Sequence, residues 1–169
     1  RRVGNMIVLN LTLDGIYGFN DFMINFTYPK KIVNSIVERE NLAGRERFRY
    51  KKAVVLMGAN ATGKTSLGKA LLRIFFYMKN GTPTLYEMLS GEKGSFCIDF
   101  VNGDYRLQRL SAEIDQSGNE ITIHYQSAEI GPMDSYEKCV EKLKDYTKEA
   151  TRTATSLKIP RSPKSVSGN

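Results

Sequence analysis

The sequence has few of the side chains that metal sites and disulfide frameworks require. Its 169 residues include two cysteines, Cys97 and Cys139, and one histidine, His124. None of the three has metal-ligand spacing to another. Two isolated thiols indicate a reducing compartment, and we predict that both act as small buried hydrophobic side chains. We expect His124 to be a surface or hydrogen-bonded strand residue rather than a catalytic one.

Long apolar runs are also missing, because no stretch reaches the 18 or more apolar residues that indicate a membrane span. The apolar run near the N-terminus is interrupted by Asn5, Asn10, Thr12 and Asp14, and no small-residue cleavage site follows it. We therefore interpret this run as a folded strand rather than a signal peptide. The expectation is a cytoplasmic protein without a membrane partner.

The composition is that of a folded domain with a surplus of positive charge. The length corresponds to about one domain, and 41% of the residues are hydrophobic, enough to form a sizeable core. The formal net charge is +7. This charge favours anionic partners, which include nucleotide phosphates and nucleic acid.

One glycine-rich motif carries a specific chemistry. Residues 58–65 read G-A-N-A-T-G-K-T and match the pattern G-x-x-x-x-G-K-[ST]. The apolar, β-branched residues 53–57 predict a strand buried on both faces directly before the motif. Apolar residues at helical spacing over residues 67–78 predict an amphipathic helix directly after it, ended by Asn80-Gly81. This strand, turn and helix are the context that a phosphate-binding loop requires.

Each part of the motif has a physical task. Gly58 permits a sharp turn, and Gly63 allows the backbone to approach phosphate closely. Backbone amides and the helix N-terminus attract the anion. We predict that Lys64 is catalytic and contacts the β- and γ-phosphates, and that the Thr65 hydroxyl binds Mg²⁺. The predicted cofactors are ATP and Mg²⁺. The predicted nucleotide-binding residues are Gly58, Ala59, Asn60, Ala61, Thr62, Gly63, Lys64, Thr65 and Ser66.

The remaining pattern predicts mainly β-structure. Residues 6–13 and 16–26 predict two strands joined at Asp14-Gly15. Residues 95–126 predict a three-stranded antiparallel meander with turns at Asn102-Gly103 and Ser117–Asn119. The polar, basic residues 29–52 are either a surface insertion or a short helix with a flexible tail. A helix is predicted from Asp134, with a capping-box-like pair to Glu137, and the tail from residue 151 is expected to be loose or extended.

The run G-A-N-A-T-G-K-T-S resembles the ATPase heads of the ABC class. Asn60 makes it similar to the SMC/RecF/OLD-like branch, whose loops read G-x-N-x-x-G-K-[ST], although Ala61 stands where many members have glycine. The resemblance covers about residues 3–150 and is specific at residues 53–67. It implies an α/β fold with a partial P-loop NTPase core and an antiparallel β-subdomain. Residues 1–133 would form the N-terminal lobe, and residues 134–169 the start of a helical or coiled-coil insertion.

The same resemblance implies a function. Such heads bind ATP, close as dimers and reopen after hydrolysis, often in DNA repair or anti-phage defence and some with a nuclease partner. Their Walker B carboxylates and signature motif lie beyond the helical insertion. We therefore expect this chain to be the N-terminal part of a longer ATPase that forms a homodimer, with DNA, RNA or a nuclease as a further partner.

Two segments imitate the missing motifs. Residues 89–93, LSGEK, resemble the signature motif but come too early in the chain, so we interpret them as a loop. Residues 96–99, FCID, imitate a Walker B strand, but Phe100 follows in place of a glutamate. We therefore predict that Asp99 is a solvent-facing residue of a hairpin strand.

Weaker candidates remain around the motif. Gln108 and Gln126 are candidates for the glutamine that contacts Mg²⁺ and the attacking water, and Gln126 is better placed after the meander. A polar strand residue is the ordinary interpretation of each. Tyr17 or Phe19 could lie near adenine, although core packing is the simpler expectation for at least one of them.

Two other function classes stay open. A small-molecule or nucleotide kinase also uses this loop, although the loop of such enzymes usually lies nearer the N-terminus. A nucleic-acid-binding module with the nucleotide as a structural ligand is the other alternative. Its support is the basic, aromatic stretch of residues 45–52, for which a solvated surface loop is the interpretation we favour.

Overall fold

The structure is a computed structural model that describes residues 6–28, 40–52, 54, 63–81, 84–145 and 152–153. Within these residues the chain is mainly β-structure. The elements in chain order are β1 Ile7–Asp14, β2 Phe22–Asn25, β3 Asn41–Leu42, β4 Arg45–Arg49, α1 Lys64–Asn80, a 3₁₀-helix Thr84–Met88, β5 Lys93–Val101, β6 Arg106–Asp115, β7 Glu120–Glu129, α2 Tyr136–Lys144 and β8 Arg152–Thr153.

The strands form an antiparallel architecture. A six-stranded sheet has the order β2-β1-β5-β6-β7-β8, and β3 pairs with β4 in a separate two-stranded sheet. Every strand pair in the described residues is antiparallel. The prediction of an α/β P-loop core is therefore wrong, and the described chain is a small β-rich domain. Parallel pairs need long crossover connections, whereas β5, β6 and β7 are joined by short turns.

The predicted meander is confirmed, with one difference in its first turn. Val101 pairs with Leu107, so the connection is longer than a two-residue turn at Asn102-Gly103. Gly103 and Tyr105 both have positive φ, at 67° and 52°. The second turn is held by Asp115, whose carboxylate accepts hydrogen bonds from the Ser117 hydroxyl at 2.6 Å and from a backbone amide.

The N-terminal strand pair is also observed, but β2 is shorter than predicted. A compact loop occupies residues 15–21, in which Tyr17 and Asp21 have positive φ of 45° and 47°. The Asp14 carboxylate accepts a hydrogen bond from the Asp21 amide at 3.0 Å. The Tyr17 amide donates to the Met88 carbonyl at 2.9 Å. These contacts divert the chain from the sheet until Phe22.

One face of the large sheet packs against α1. Side chains at alternate positions of the strands point to this face, as the pleat requires. The β-bulge between Val8 and Asn10 resets this alternation in β1. The core on this side is formed by Leu11, Leu13, Ile16, Leu67, Ala70, Ile74, Tyr77, Leu85, Met88, Phe96, Ile98, Phe100, Leu110, Ala112, Ile114, Ile121 and Ile123.

The opposite face packs against α2 and the β3–β4 hairpin. Its smaller core is formed by Leu9, Leu42, Phe48, Val101, Leu107, Ala128, Ile130, Tyr136, Cys139 and Leu143. The hairpin falls within residues 29–52, where we had expected an insertion or a short helix. Residues 29–39 of that segment lie outside the described residues.

Both predicted helices are observed, with corrections at their ends. Gly81 ends α1 with φ 64°, and its amide donates to Tyr77 at 2.7 Å, as Asn80-Gly81 predicted. Tyr77 is also buried, although it was not among the apolar residues whose spacing predicted α1. The N-cap of α2 is Ser135, whose hydroxyl accepts from the Lys138 amide. Asp134 instead accepts a hydrogen bond from the Gly131 amide, so the predicted capping pair with Glu137 is wrong.

Two expectations concern segments of which the structure describes only one or two residues. Of the predicted strand at residues 53–57, only Val54 is described; it lies in no strand and is 40% exposed. Of the tail, residues 152–153 pair with β7 as β8. No helix among the described residues is long and apolar enough to cross a membrane.

Two glycine substitutions should have opposite effects on stability. Gly15 has φ +63°, and a Cβ there would lie 2.5 Å from the Lys93 carbonyl oxygen. Gly15→Ala should therefore lower the free energy of unfolding by about 2 kcal/mol. Gly68 lies in α1 with no atom within 4 Å of an added Cβ, so Gly68→Ala should raise it by up to about 1 kcal/mol. Urea unfolding measures both, and equal effects would contradict the loop geometry.

Candidate functional site

The N-terminus of α1 has an unusual backbone. Gly63 precedes the helix with φ 88° and ψ 2°, in the left-handed region. Its carbonyl accepts the first intrahelical hydrogen bond from the Leu67 amide at 2.8 Å. Gly63 has no side chain that could cap the helix, and the first turn contains no acidic residue. The first amides of an α-helix have no intrahelical partner, so this end is suited to an anion.

Four of the predicted nucleotide-binding residues lie at this helix end. Gly63, Lys64 and Ser66 are half-buried, and Thr65 is exposed. Lys64, Thr65 and Ser66 are the first three residues of α1, so their amides and side chains lie within one turn. The other five predicted residues, Gly58, Ala59, Asn60, Ala61 and Thr62, lie outside the described residues.

Phe19 forms a wall beside this helix end. A Cβ on Gly63 would lie 3.2 Å from two carbons of the Phe19 ring. The ring in turn packs against Phe22 with a centroid distance of 4.5 Å. The loop that carries Phe19 is held by Ser90, whose hydroxyl accepts from the Gly18 amide at 2.6 Å. Ser90 therefore supports this loop, and the interpretation of residues 89–93 as a loop is confirmed up to Glu92, since Lys93 begins β5.

Tyr17 lies beside α1, farther from the start of this helix than Phe19. It lines an open groove of about 390 Å³ together with Lys69, Leu72, Arg73 and Glu87. Arg73 and Glu87 form an ion pair at 2.7 Å across it. Phe19 is thus next to the glycine of the motif, and Tyr17 is beside the following turns. A contact of either ring with adenine stays a prediction.

The two glutamines make other contacts. Gln108 is buried and accepts a hydrogen bond from the Tyr125 hydroxyl at 2.8 Å. The Gln126 side-chain amide donates to the Leu143 carbonyl at the end of α2, at 3.2 Å. Gln126 therefore lies on the sheet face that packs against α2, whereas α1 packs on the other face. This placement gives no support to a role of Gln126 beside Lys64.

A buried polar cluster was missed from the sequence. Asp99 is fully buried, and its two carboxylate oxygens accept hydrogen bonds from Arg109 at 2.7 and 2.8 Å. The Tyr136 hydroxyl donates to the same carboxylate at 2.5 Å. The prediction that Asp99 faces solvent is therefore wrong. The direct pairing of Asp99 with Arg109 across β5 and β6 was the signal that could have indicated it.

These contacts shift two pKa values. The hydrogen-bonded Asp99 carboxylate raises the pKa of Arg109 above its already high value. Burial, and then the charge of Asp99, raise the pKa of Tyr136 well above 10. At neutral pH the Arg109 guanidinium is therefore charged and the Tyr136 hydroxyl keeps its proton. The cluster fixes α2 on the sheet rather than presenting a reactive group.

The remaining titratable candidates are not activated. Burial raises the pKa of the Cys97 thiol and of the Cys139 thiol to about 11 each. Both thiols are thus protonated at neutral pH, and Cys139 is fully buried as predicted. His124 is half-buried opposite Ser111 in the sheet. Among the described residues no group of three or more His, Cys, Asp or Glu side chains could hold a metal ion.

The buried cluster predicts a dependence of stability on pH. Tyr136→Phe removes one hydrogen bond to a buried carboxylate and should lower the free energy of unfolding by about 1.5–3 kcal/mol at pH 7. Because the folded-state pKa of Tyr136 is raised, its contribution is complete below pH ~10 and is lost as pH rises further. Denaturant unfolding from pH 7 to 11 should show a smaller alkaline loss for Tyr136→Phe than for the parent. Equal losses would contradict this assignment.

Comparison with protein families, with curated proteins and with solved structures found no match to this chain. The function is therefore inferred from the residues and their geometry. The feature with the most specific chemistry is the start of α1, which is formed by Gly63, Lys64 and Thr65 of the glycine-rich motif.

Proposed function

We propose that this chain binds the triphosphate of Mg·ATP at the N-terminus of α1. The observation that carries the proposal is the left-handed Gly63 directly before an uncapped, acid-free helix start, within a sequence that reads G-x-x-x-x-G-K-T. Lys64 contacts the phosphates, and the first-turn amides donate hydrogen bonds to them. The alternative kinase function has no separate observation in its favour.

The helix favours an anion electrostatically. α1 is 17 residues long, and its last turn carries Lys79. The aligned peptide dipoles place about half a positive charge at its N-terminus. Leu67, Ala70 and Ile74 are buried in the core under the sheet, so the helix end is held in place before any ligand arrives. A preorganised site avoids part of the entropy cost of binding.

Magnesium fits the same helix end. Thr65 is exposed, and its hydroxyl is an oxygen ligand of the kind that Mg²⁺ prefers. Protein-bound Mg²⁺ usually keeps several waters and takes further oxygens from substrate phosphates. One hydroxyl next to the phosphates is therefore a sufficient first ligand. When bound, the ion would neutralise charge on the phosphate oxygens.

Hydrolysis needs more than these phosphate and metal contacts. Lys64 and Thr65 supply phosphate and metal contacts, whereas in-line attack by water also needs a group that positions the water. Asp99 does not supply it, because both its oxygens are occupied by Arg109 and Tyr136. The glycine-rich motif resembles that of ABC-class ATPases of the SMC/RecF/OLD-like branch, and on this resemblance we propose ATP hydrolysis by a homodimer in a DNA-related or defence system.

Lys64→Ala tests the proposed binding. Loss of one charge-assisted contact to phosphate should weaken Mg·ATP binding by about 10- to 100-fold. The matched control is Lys79→Ala, because Lys79 is an exposed lysine in the last turn of the same helix. Titration calorimetry measures both. The proposal fails if the parent takes up no Mg·ATP, or if the two variants bind alike.

Gly63→Ala tests the backbone part of the site. A Cβ at φ 88° is strained and would press against the Phe19 ring, so the turn should rearrange and Mg·ATP affinity should fall by at least about tenfold. Gly81→Ala is the control, because Gly81 has a similar positive φ of 64° at the other end of α1. Both variants should be less stable, and only Gly63→Ala should lose affinity. Loss in both would contradict a local role.

A further inference from the structure

A row of cations lies along β4 and its extension. Arg45, Arg47, Arg49 and Lys51 occupy every second position, although irregular pairing with β3 interrupts the regular pleat between Arg45 and Arg49. Arg47 and Arg49 line one cleft, and Arg49 and Lys51 lie over the same tyrosine ring. The chain remains extended after β4, because Tyr50 bridges to Thr27 and the Lys51 amide donates to Phe26 at 2.6 Å. We call these four residues the basic face. It is about 20 Å long at ~3.3 Å per residue.

β4 is anchored in the core. Phe48 is buried and packs edge-on against Tyr136, with ring centroids 6.3 Å apart. Phe48 is flanked by Arg47, which is exposed, and by Arg49, which is half-buried, and both arginines line the neighbouring cleft.

Two tyrosines hold the cations in position. The Arg45 guanidinium lies 4.3 Å from the centroid of the Tyr105 ring, and Arg45 also donates to the Ile130 carbonyl at 2.7 Å. Arg49 and Lys51 both lie over the Tyr28 ring, at 5.4 and 5.8 Å. Each of these contacts places a cation against the face of an aromatic ring. The face therefore combines fixed cations with aromatic surface.

The basic face also has carboxylates beside it. Glu46, Asp134 and Glu137 line the same cleft as Arg47 and Arg49, and Asp134 is paired with Lys142. Within the part of the chain that the structure describes, Arg47 and Lys51 form no ion pair. The charge of the face adds to a chain whose net charge is +7. Such a surface attracts a polyanion.

A cleft opens beside the basic face. Its volume is about 620 Å³, and Tyr28, Glu46, Arg47 and Arg49 line one side of it. Residues 133–138 at the start of α2 line the other side, including Met133, whose side chain is 64% exposed. The volume lies within the usual range of small-molecule sites. The cleft therefore offers apolar and stacking surface directly next to cations.

We propose that the basic face and its cleft bind single-stranded nucleic acid. The phosphates contact Arg47, Arg49 and Lys51, and an unpaired base enters the cleft between Tyr28 and Met133. Single strands are bound by cationic grooves combined with aromatic or guanidinium stacking. A duplex would leave the cleft unused, and an acidic peptide would lack bases to stack. This surface goes beyond the nucleotide proposal, because it lies on the sheet face opposite to α1.

Fluorescence anisotropy with a labelled oligonucleotide of about 20 nucleotides tests the proposal. The variant R47A/K51A removes two cations of the basic face, and K69A/K79A removes two exposed cations of α1 as the control with the same net charge. Affinity for the single strand should fall at least tenfold in R47A/K51A and less than threefold in K69A/K79A. The dependence of log affinity on log salt should become shallower by about 1.4 in R47A/K51A alone.

Additional variants and ligands distinguish this proposal from its alternatives. R47K/K51R, which keeps both charges, should bind within about threefold of the parent. The same assay with single-stranded DNA and with RNA of the same sequence shows which of the two nucleic acids binds more tightly. Lys64→Ala should bind the oligonucleotide like the parent, so failure of nucleotide binding would not affect the result. Equal losses in R47A/K51A and K69A/K79A, or equal or tighter binding of duplex DNA or poly-glutamate, would overturn the proposal.

Discussion

The buried Asp99 carboxylate is the interaction on which one half of the structure depends. It lies inside the sheet on β5, where an unpaired charge would be costly, and both its oxygens are occupied by Arg109 and Tyr136. A buried ion pair adds little net stability but rejects arrangements that would separate it. Tyr136 belongs to α2, so the cluster fixes this helix on the sheet. The ring of Tyr136 packs on Phe48, and through Phe48 the position of α2 determines where β4 presents its basic face.

The other face of the same strands supports α1. The alternation that places Asp99 on the α2 side places Phe96, Ile98 and Phe100 on the α1 side, because neighbouring strand residues point to opposite faces. α1 is thereby seated with its N-terminus beside Phe19 and Gly63. The two candidate sites are thus separated by the thickness of the sheet, and each is positioned by one helix. This separation allows a nucleotide and a polyanion to be tested independently.

Local signals in the sequence predicted local structure well, and non-local features were missed. The periodicity of residues 67–78 and the glycine at 81 predicted α1, and turn residues predicted the meander, because each depends on neighbours in the chain. The burial of Asp99 depends on Arg109 and on Tyr136, and the latter is 37 residues away. The β3–β4 hairpin was missed because only Leu42 and Phe48 of its residues are buried, so its alternation is masked by charge. Ser135 displaced Asp134 as the helix cap because Asp134 accepts the Gly131 amide instead.

The α/β prediction was wrong for a reason that does not bear on the proposed phosphate site. It inferred the sheet type from a local motif, whereas the sheet type is determined by how strands are connected along the whole chain. An anion at a helix N-terminus needs less: amides that have no intrahelical partner, a dipole, and a residue able to adopt positive φ. Gly63 and the first turn of α1 provide these within a few residues. The chemistry of the motif therefore depends on the helix it begins and on the core that holds this helix, which an antiparallel sheet supplies as effectively as a parallel one.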